Sequence, residues 1–181
     1  MFDKDRFIED CRAALEEGDP RAAIREIVAR AVSEPAQIVR ALGEPTRSGV
    51  ETVYRGEDLT ILNLSWGPRM EVGPHDHRLW AVIGIYGGCE ENTFFRRADR
   101  GLTQHGTQAL TTTDAIALGD SIIHAVTNPL DRITSAIHVY GGDFFATARS
   151  QWNAPTFEER PYEVEHTMRA FEEANKRLAN A

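Results

Sequence analysis

At 181 residues and 41% apolar content, the chain has the size of one domain with enough core to fold independently. Its net charge of −8 argues against a nucleic-acid partner, no apolar run reaches the length of a membrane span, and no signal peptide is expected. Cys11 and Cys89 lie far apart and suggest neither a disulfide framework nor a zinc ribbon, so a reducing cytoplasm is the expected compartment.

Residues 3–43 read as helices. Phe7, Ile8, Cys11, Ala14 and Leu15 recur at helical spacing until Gly18 and Pro20 stop them. Asp19 can cap a second helix that carries Ile24, Ile27, Val28 and Ala31, and Ile38, Val39 and Leu42 suggest a short third one closed by Gly43. Their expected work is to cover one side of a sheet, with Cys11 as a small buried apolar residue. From residue 49 the period changes. Val50–Tyr54 is rich in β-branched and aromatic residues, and Leu62, Leu64 and Trp66 alternate with Asn63 and Ser65, as in a hairpin. Short strands are predicted near 79–86, 91–97, 107–113, 115–118, 122–127 and 132–140. Many short strands without intervening helices imply a sandwich or barrel. Residues 149–161 read as a linker, and from 156 the pattern is helical, with Val164, Met168, Phe171 and Leu178 on one face.

The chemistry-bearing stretch is Gly73-Pro74-His75-Asp76-His77. A strand sends alternate side chains to opposite faces, so in a strand His75 and His77 would point one way and Asp76 the other. Two converging imidazoles make half of a metal site, and His124, inside a second apolar segment, offers the third ligand.

His-x-His, an apolar strand and a later His-x-x-x-Asn (His124 to Asn128) resemble the cupins, small double-stranded β-helix barrels that hold a metal in the barrel mouth. The glutamate usual in that arrangement is missing: Ala81 and Val82 stand in its place, and Glu90 and Glu91 lie too far along to replace it. Three neutral imidazoles would leave a dication unbalanced, and a thiolate substrate could balance it. The chain further resembles the thiol dioxygenases, the family of cysteine dioxygenase and 3-mercaptopropionate dioxygenase, and more closely the bacterial mercaptopropionate type. The resemblance is carried by His75-Asp76-His77, Trp80, Ile83-Gly84, Gly88-Cys89-Glu90-Glu91-Asn92, His124, and His138-Val139-Tyr140-Gly141. It spans roughly residues 50–150.

The resemblance implies a mainly β fold: a cupin barrel over residues 49–150, a helical cover over 1–48 and a C-terminal helical extension over 151–181. It implies one Fe(II) held by His75, His77 and His124, with O2 and a small thiol as reactants and a sulfinate as product. Tyr140, positioned by His138, would donate a hydrogen bond to bound oxygen or substrate. Arg149, nine residues past Tyr140, would hold the substrate carboxylate. The chain departs from the family in three ways. Ala136 replaces the serine of a Ser-His-Tyr relay, with Ser135 on the opposite strand face. No cysteine near Val82 can cross-link to the tyrosine. The mammalian-type carboxylate arginine has only Arg55 in its region. Trp80 reads as packing, Arg96 and Arg97 as a solvated strand edge, and His105 and His166 receive no role. A zinc or nickel cupin acting on a non-thiol, and a non-catalytic ligand-binding cupin, remain alternatives on spacing alone.

Overall fold

A computed structural model describes residues 1–180. Helices α1 (Lys4–Ala13), α2 (Pro20–Val32) and α3 (Pro35–Leu42) come first, with a 3₁₀ turn at Ala14–Glu16. Asp3 and Asp19 cap α1 and α2, each accepting a backbone N–H three residues on. Eleven strands follow: β1 (Gly49–Arg55), β2 (Thr60–Trp66), β3 (Glu71–Asp76), β4 (Ala81–Gly87), β5 (Cys89–Arg97), β6 (Leu102–Thr111), β7 (Ala115–Leu118), β8 (Ile123–Thr127), β9 (Thr134–Tyr140), β10 (Ser150–Asn153) and β11 (Glu158–Pro161). Helix α4 (Val164–Ala179) ends the described chain. No helix among the described residues is long and apolar enough to cross a membrane.

The strands form two antiparallel sheets, ordered β1-β2-β9-β4-β7 and β11-β10-β3-β8-β5-β6. Within β2 to β9 the pairing is nested. β2 pairs with β9, β3 with β8, β4 with β7 and β5 with β6. That winding is the double-stranded β-helix, as the sequence led one to expect.

The five-stranded sheet is buried on both faces, which is why β2, β4 and β9 are so apolar. Leu62, Leu64, Ile83, Ala136 and Tyr140 face the barrel interior. Ile61, Val82, Ile137 and Val139 face the other way and pack with Ile24, Val28, Val32, Ile38 and Cys11 of the N-terminal helices. Those helices are therefore the sheet cover expected of them. Helix α4 lies against the barrel rim. Phe171 stacks on Trp66 with ring centroids 5.7 Å apart, and Asn175 Oδ1 accepts the Ser48 backbone N–H.

Three expectations need correction. Residues 149–161 are not a linker: β10 pairs with β3 through Gln151 and His75, and β11 pairs with β10. The tract reads as a linker because Ala154 to Phe157 form a turn and β11 is a charged, exposed edge strand, a form that discourages edge-to-edge pairing. The helical extension accordingly begins at Val164. Strand β6 starts at Leu102, five residues before the predicted 107, because it too is an edge strand and carries polar residues where apolar alternation would mark a core strand.

Gly84 explains how closely helix and sheet approach. A Cβ there would lie 2.4 Å from Val28 Cγ1 and 2.9 Å from Val32 Cγ1, so α2 rests directly on the β4 backbone. Overpacking of this kind typically costs about 1–3 kcal/mol. Gly84→Ala is expected to lower the melting temperature by several degrees, and Val28→Ala in the same chain should recover part of that loss. Thermal unfolding of the two single variants and the double variant checks this. Additive losses would contradict the contact, since touching residues couple.

Candidate metal centre

The site begins with the register between β3 and β8, which sets His75 directly opposite His124. His77 follows one residue past the end of the strand and converges with His75, as the alternate spacing led one to expect. β3 ends at Asp76, and the chain bends through Arg78 in the left-handed region, with φ 56°. Asp76 points away, as expected. Its Oδ1 accepts the Ser150 N–H at 2.7 Å and its Oδ2 accepts from Arg78 Nε at 2.9 Å, tying the bend to β10.

The result is a cluster of three buried imidazoles whose ligand atoms all lie within 4.8 Å of one another. His77 Nε2 stands 3.2 Å from His75 Nε2 and 3.3 Å from His124 Nε2. His75 Nδ1–H donates to the Gly73 carbonyl at 2.9 Å, and His124 Nδ1–H donates to Asn92 Oδ1 at 2.7 Å. With the Nδ1 protons placed there, the Nε2 atoms of these two rings carry bare lone pairs toward a common point. Converging lone pairs with fixed tautomers are what a metal cation requires of its ligands. Burial pushes the His75 pKa down to about 4, and burial together with the neighbouring imidazoles holds His77 and His124 well below the usual range. The rings are therefore neutral at pH 7, so a proton does not compete for the ligand positions. The donor set fits a single metal ion that retains open positions.

Next to the cluster lies a cavity of about 130 Å³. Tyr140, Phe144, Arg149 and Tyr162 line it, and α4 closes it with Thr167, Met168 and Phe171. No aspartate or glutamate is among its lining residues. The Arg149 guanidinium sits between two rings, 4.1 Å from the Phe144 centroid and 4.3 Å from that of Tyr162. Among the described residues its one hydrogen bond goes from Nη1 to the Phe144 carbonyl, and its Nε is buried without a partner.

All six residues singled out in the sequence, His75, His77, His124, His138, Tyr140 and Arg149, line this cavity. His138 and Tyr140 share the inward face of β9, with His138 Nδ1 3.0 Å from the Tyr140 hydroxyl. Burial, reinforced by the charge of Glu90, keeps that hydroxyl protonated far above the usual tyrosine range. Asn128 is structural: its amide donates to the carbonyls of Trp66, Gly67 and Arg132. Arg55 is ion-paired with Asp143 on the surface and does not line the cavity. Trp80 packs against Gly141, where any Cβ would collide with the indole. Arg97 pairs with Glu159 on the exposed sheet edge.

Glu90 and Asn92 are what sequence reasoning missed. Glu90 is indeed no member of the histidine cluster. It is nonetheless fully buried and lies 3.2 Å from His138 Nε2, the ring that the absent serine would have oriented. The signal was the spacing of Glu90 and Asn92, which puts both on one face of β5.

No protein-family model matches the chain. Among solved structures, an RmlC-like cupin with a double-stranded β-helix fold from Methanocaldococcus jannaschii is 12% identical, with a TM-score of 0.47, over 56% of this chain and 86% of that one. A double-stranded β-helix protein from Klebsiella pneumoniae is 14% identical, with a TM-score of 0.44, over 55% of this chain and 76% of that one. Oxalate decarboxylase from Bacillus subtilis is 16% identical, with a TM-score of 0.41, over 50% of this chain and 22% of that one. These scores are low, and the fold assignment rests on the nested strand pairing.

Replacing any one of His75, His77 or His124 by Ala is expected to abolish stoichiometric metal binding while leaving a folded barrel, because the apolar core dominates stability in a domain of this size. Metal analysis with circular dichroism checks both halves. A second expectation concerns pH. In the metal-free protein the unfolded chain takes up protons on these imidazoles near pH 6.5, whereas folded His75 resists until about 4. Stability should therefore fall as the pH drops through that window. A melting temperature flat from 6.5 to 4 would contradict the burial of neutral rings.

Proposed function

We propose that the chain is a mononuclear non-haem Fe(II) thiol dioxygenase acting on a small thiol that carries a carboxylate. The observation that carries the reading is the charge pattern of one small cavity. A three-histidine cluster stands beside an arginine with a buried, unpartnered Nε, and no acidic residue lines the space between them. A dication on neutral imidazoles and a guanidinium without a carboxylate both call for anionic partners. A molecule with a sulfur at one end and a carboxylate at the other satisfies both. At about 130 Å³ the cavity is also far smaller than the roughly 300–1,000 Å³ of drug-sized ligand sites, which restricts the substrate to a few heavy atoms.

His75, His77 and His124 would hold the iron. The chemistry that Fe(II) supplies when bound is the joining of O2 to an adjacent sulfur. The thiol gains both oxygen atoms and becomes a sulfinic acid, so no external reductant is needed. Arg149 would take the carboxylate in a charge-assisted, forked pair. Its guanidinium is already held flat between Phe144 and Tyr162, so little freedom remains to be lost on binding. Phe144, Met168 and Phe171 exclude water from the reacting end, and Tyr140 brings its hydroxyl to the same space.

The test is oxygen consumption and sulfinate formation by iron-loaded protein against 3-mercaptopropionate, cysteine, mercaptosuccinate and cysteamine. Arg149→Ala should raise the Michaelis constant for a carboxylate thiol by about ten- to a hundredfold, the equivalent of losing one charge-assisted bond. Cysteamine, lacking the carboxylate, should be affected far less. Arg149→Lys should restore only part, and Arg55→Ala should change nothing. Tyr140→Phe should keep its iron and lose roughly ten- to a thousandfold in turnover. A zinc-binding protein that consumes no oxygen with any of these thiols would sink the proposal.

A further inference from the structure

Two chains of hydrogen bonds behind the site meet at one carboxylate. Glu90 Oε2 accepts from Trp66 Nε1 at 2.7 Å and lies 3.2 Å from His138 Nε2, and Oε1 accepts from Asn92 Nδ2 at 3.0 Å. Trp66 Nε1–H and the Asn92 amide each place an N–H on one of the two oxygens, an arrangement that favours the ionised carboxylate over the acid. Burial opposes that charge, but His138 and the bonds from His138, Asn92 and Trp66 outweigh it and hold the Glu90 pKa below its usual value.

An ionised carboxylate only accepts, which fixes the direction of every bond upstream of it. On one arm His138 must carry its proton on Nε2. Its Nδ1 then offers a lone pair, and the Tyr140 hydroxyl, 3.0 Å away, donates to it. On the other arm Asn92 turns its NH2 toward Glu90, which leaves its oxygen facing His124 Nδ1 at 2.7 Å. His124 carries its proton there and keeps Nε2 bare for the cluster.

We infer that Glu90 is a positioning residue that sets the proton arrangement of the whole site: through Asn92 it fixes the tautomer of His124, and through His138 it turns the Tyr140 proton away from the cavity. Tyr140 therefore offers oxygen lone pairs to a bound molecule and receives a hydrogen bond rather than giving one, the reverse of the donor role that the resemblance implies. The S–H of an entering thiol, before its sulfur loses that proton to bind as the anion, is such a donor. That last step rests on the proposed function, whereas the tautomers do not. The carboxylate on β5 thus does, from the opposite sheet, the orienting work for which a serine at 136 is missing.

The experiment is nitrogen-15 spectroscopy of the imidazole rings in the metal-free full chain, about two pH units above the ordinary histidine value of about 6.5. The chain has six histidines, few enough to assign by single substitutions. The expected spectrum shows His124 protonated on Nδ1 and His138 on Nε2. Glu90→Gln replaces one acceptor oxygen by a donor, so at least one arm must reverse: His138 moves its proton to Nδ1, or His124 loses its Nδ1 proton. Cobalt titration of the same variant should show metal affinity lowered by about ten- to a hundredfold, the usual cost of losing a partner behind a ligand. Adding Ala136→Ser to Glu90→Gln should recover part of the lost turnover, since a hydroxyl can orient His138 from its own strand.

Wild-type His138 protonated on Nδ1, or on both nitrogens, would overturn the inference even if the variant failed to fold. So would a folded Glu90→Gln variant with both tautomers unchanged. Because the spectra involve no thiol and no oxygen, this failure is distinguishable from failure of the dioxygenase reading.

Discussion

Three imidazole nitrogens converge within 4.8 Å of one another, two of them with lone pairs turned inward, and the rest of the structure is arranged to hold them there. Burial keeps the rings neutral. The register of β3 against β8 sets two of them face to face, and the alternate position after His75 brings in the third. Backbone and side-chain acceptors hold the Nδ1 protons of His75 and His124 on the far side of the rings. Each of these devices costs stability in a metal-free chain. Buried neutral histidines disfavour the folded state at low pH, and a charge such as that of Glu90 in the interior requires hydrogen bonds from its neighbours to be tolerable. A site built at such cost on two packed sheets is rigid, as the placement of reacting groups demands.

The two sheets contribute unequally. The five-stranded sheet has its back to the N-terminal helices, so its strands are apolar on both faces and can carry His138 and Tyr140 only on the inner one. The six-stranded sheet supplies the three histidines from β3, the bend after it and β8, and Glu90 and Asn92 from β5. Contacts across the barrel, such as that of Glu90 with His138 and Trp66, therefore join the sheets as well as the site. Helix α4 completes the enclosure. Phe171 is anchored on Trp66, whereas Met168, which also lines the cavity, remains 49% exposed. The helix thus presents a fixed end and a more open end to the same space.

What the sequence made legible was whatever repeats in a regular period or depends on residue type alone. His75 and His77 flanking one residue, His124 in an apolar strand, and His138 and Tyr140 at alternate positions were all readable. The doubly buried strands and the helical cover were readable from their apolar runs. Edge strands were not. β11 and the first half of β6 carry polar side chains because one edge meets water, so they resemble loops, and β10, a buried strand of four residues, is too short to show a period. The role of Glu90 was hidden for another reason. A residue's partner across a barrel depends on register between strands far apart in sequence, and here 48 positions separate Glu90 from His138.

The claim on which the functional account stands is that a small carboxylate thiol and dioxygen meet in this cavity and that both oxygen atoms end on sulfur. Turnover of 3-mercaptopropionate by the iron-loaded chain under isotopically labelled dioxygen, followed by mass spectrometry of the product, tests it most directly. The account predicts a sulfinate carrying two labelled oxygens and one O2 consumed per product formed. A product with one label or none, or recovery of unchanged thiol, would contradict it.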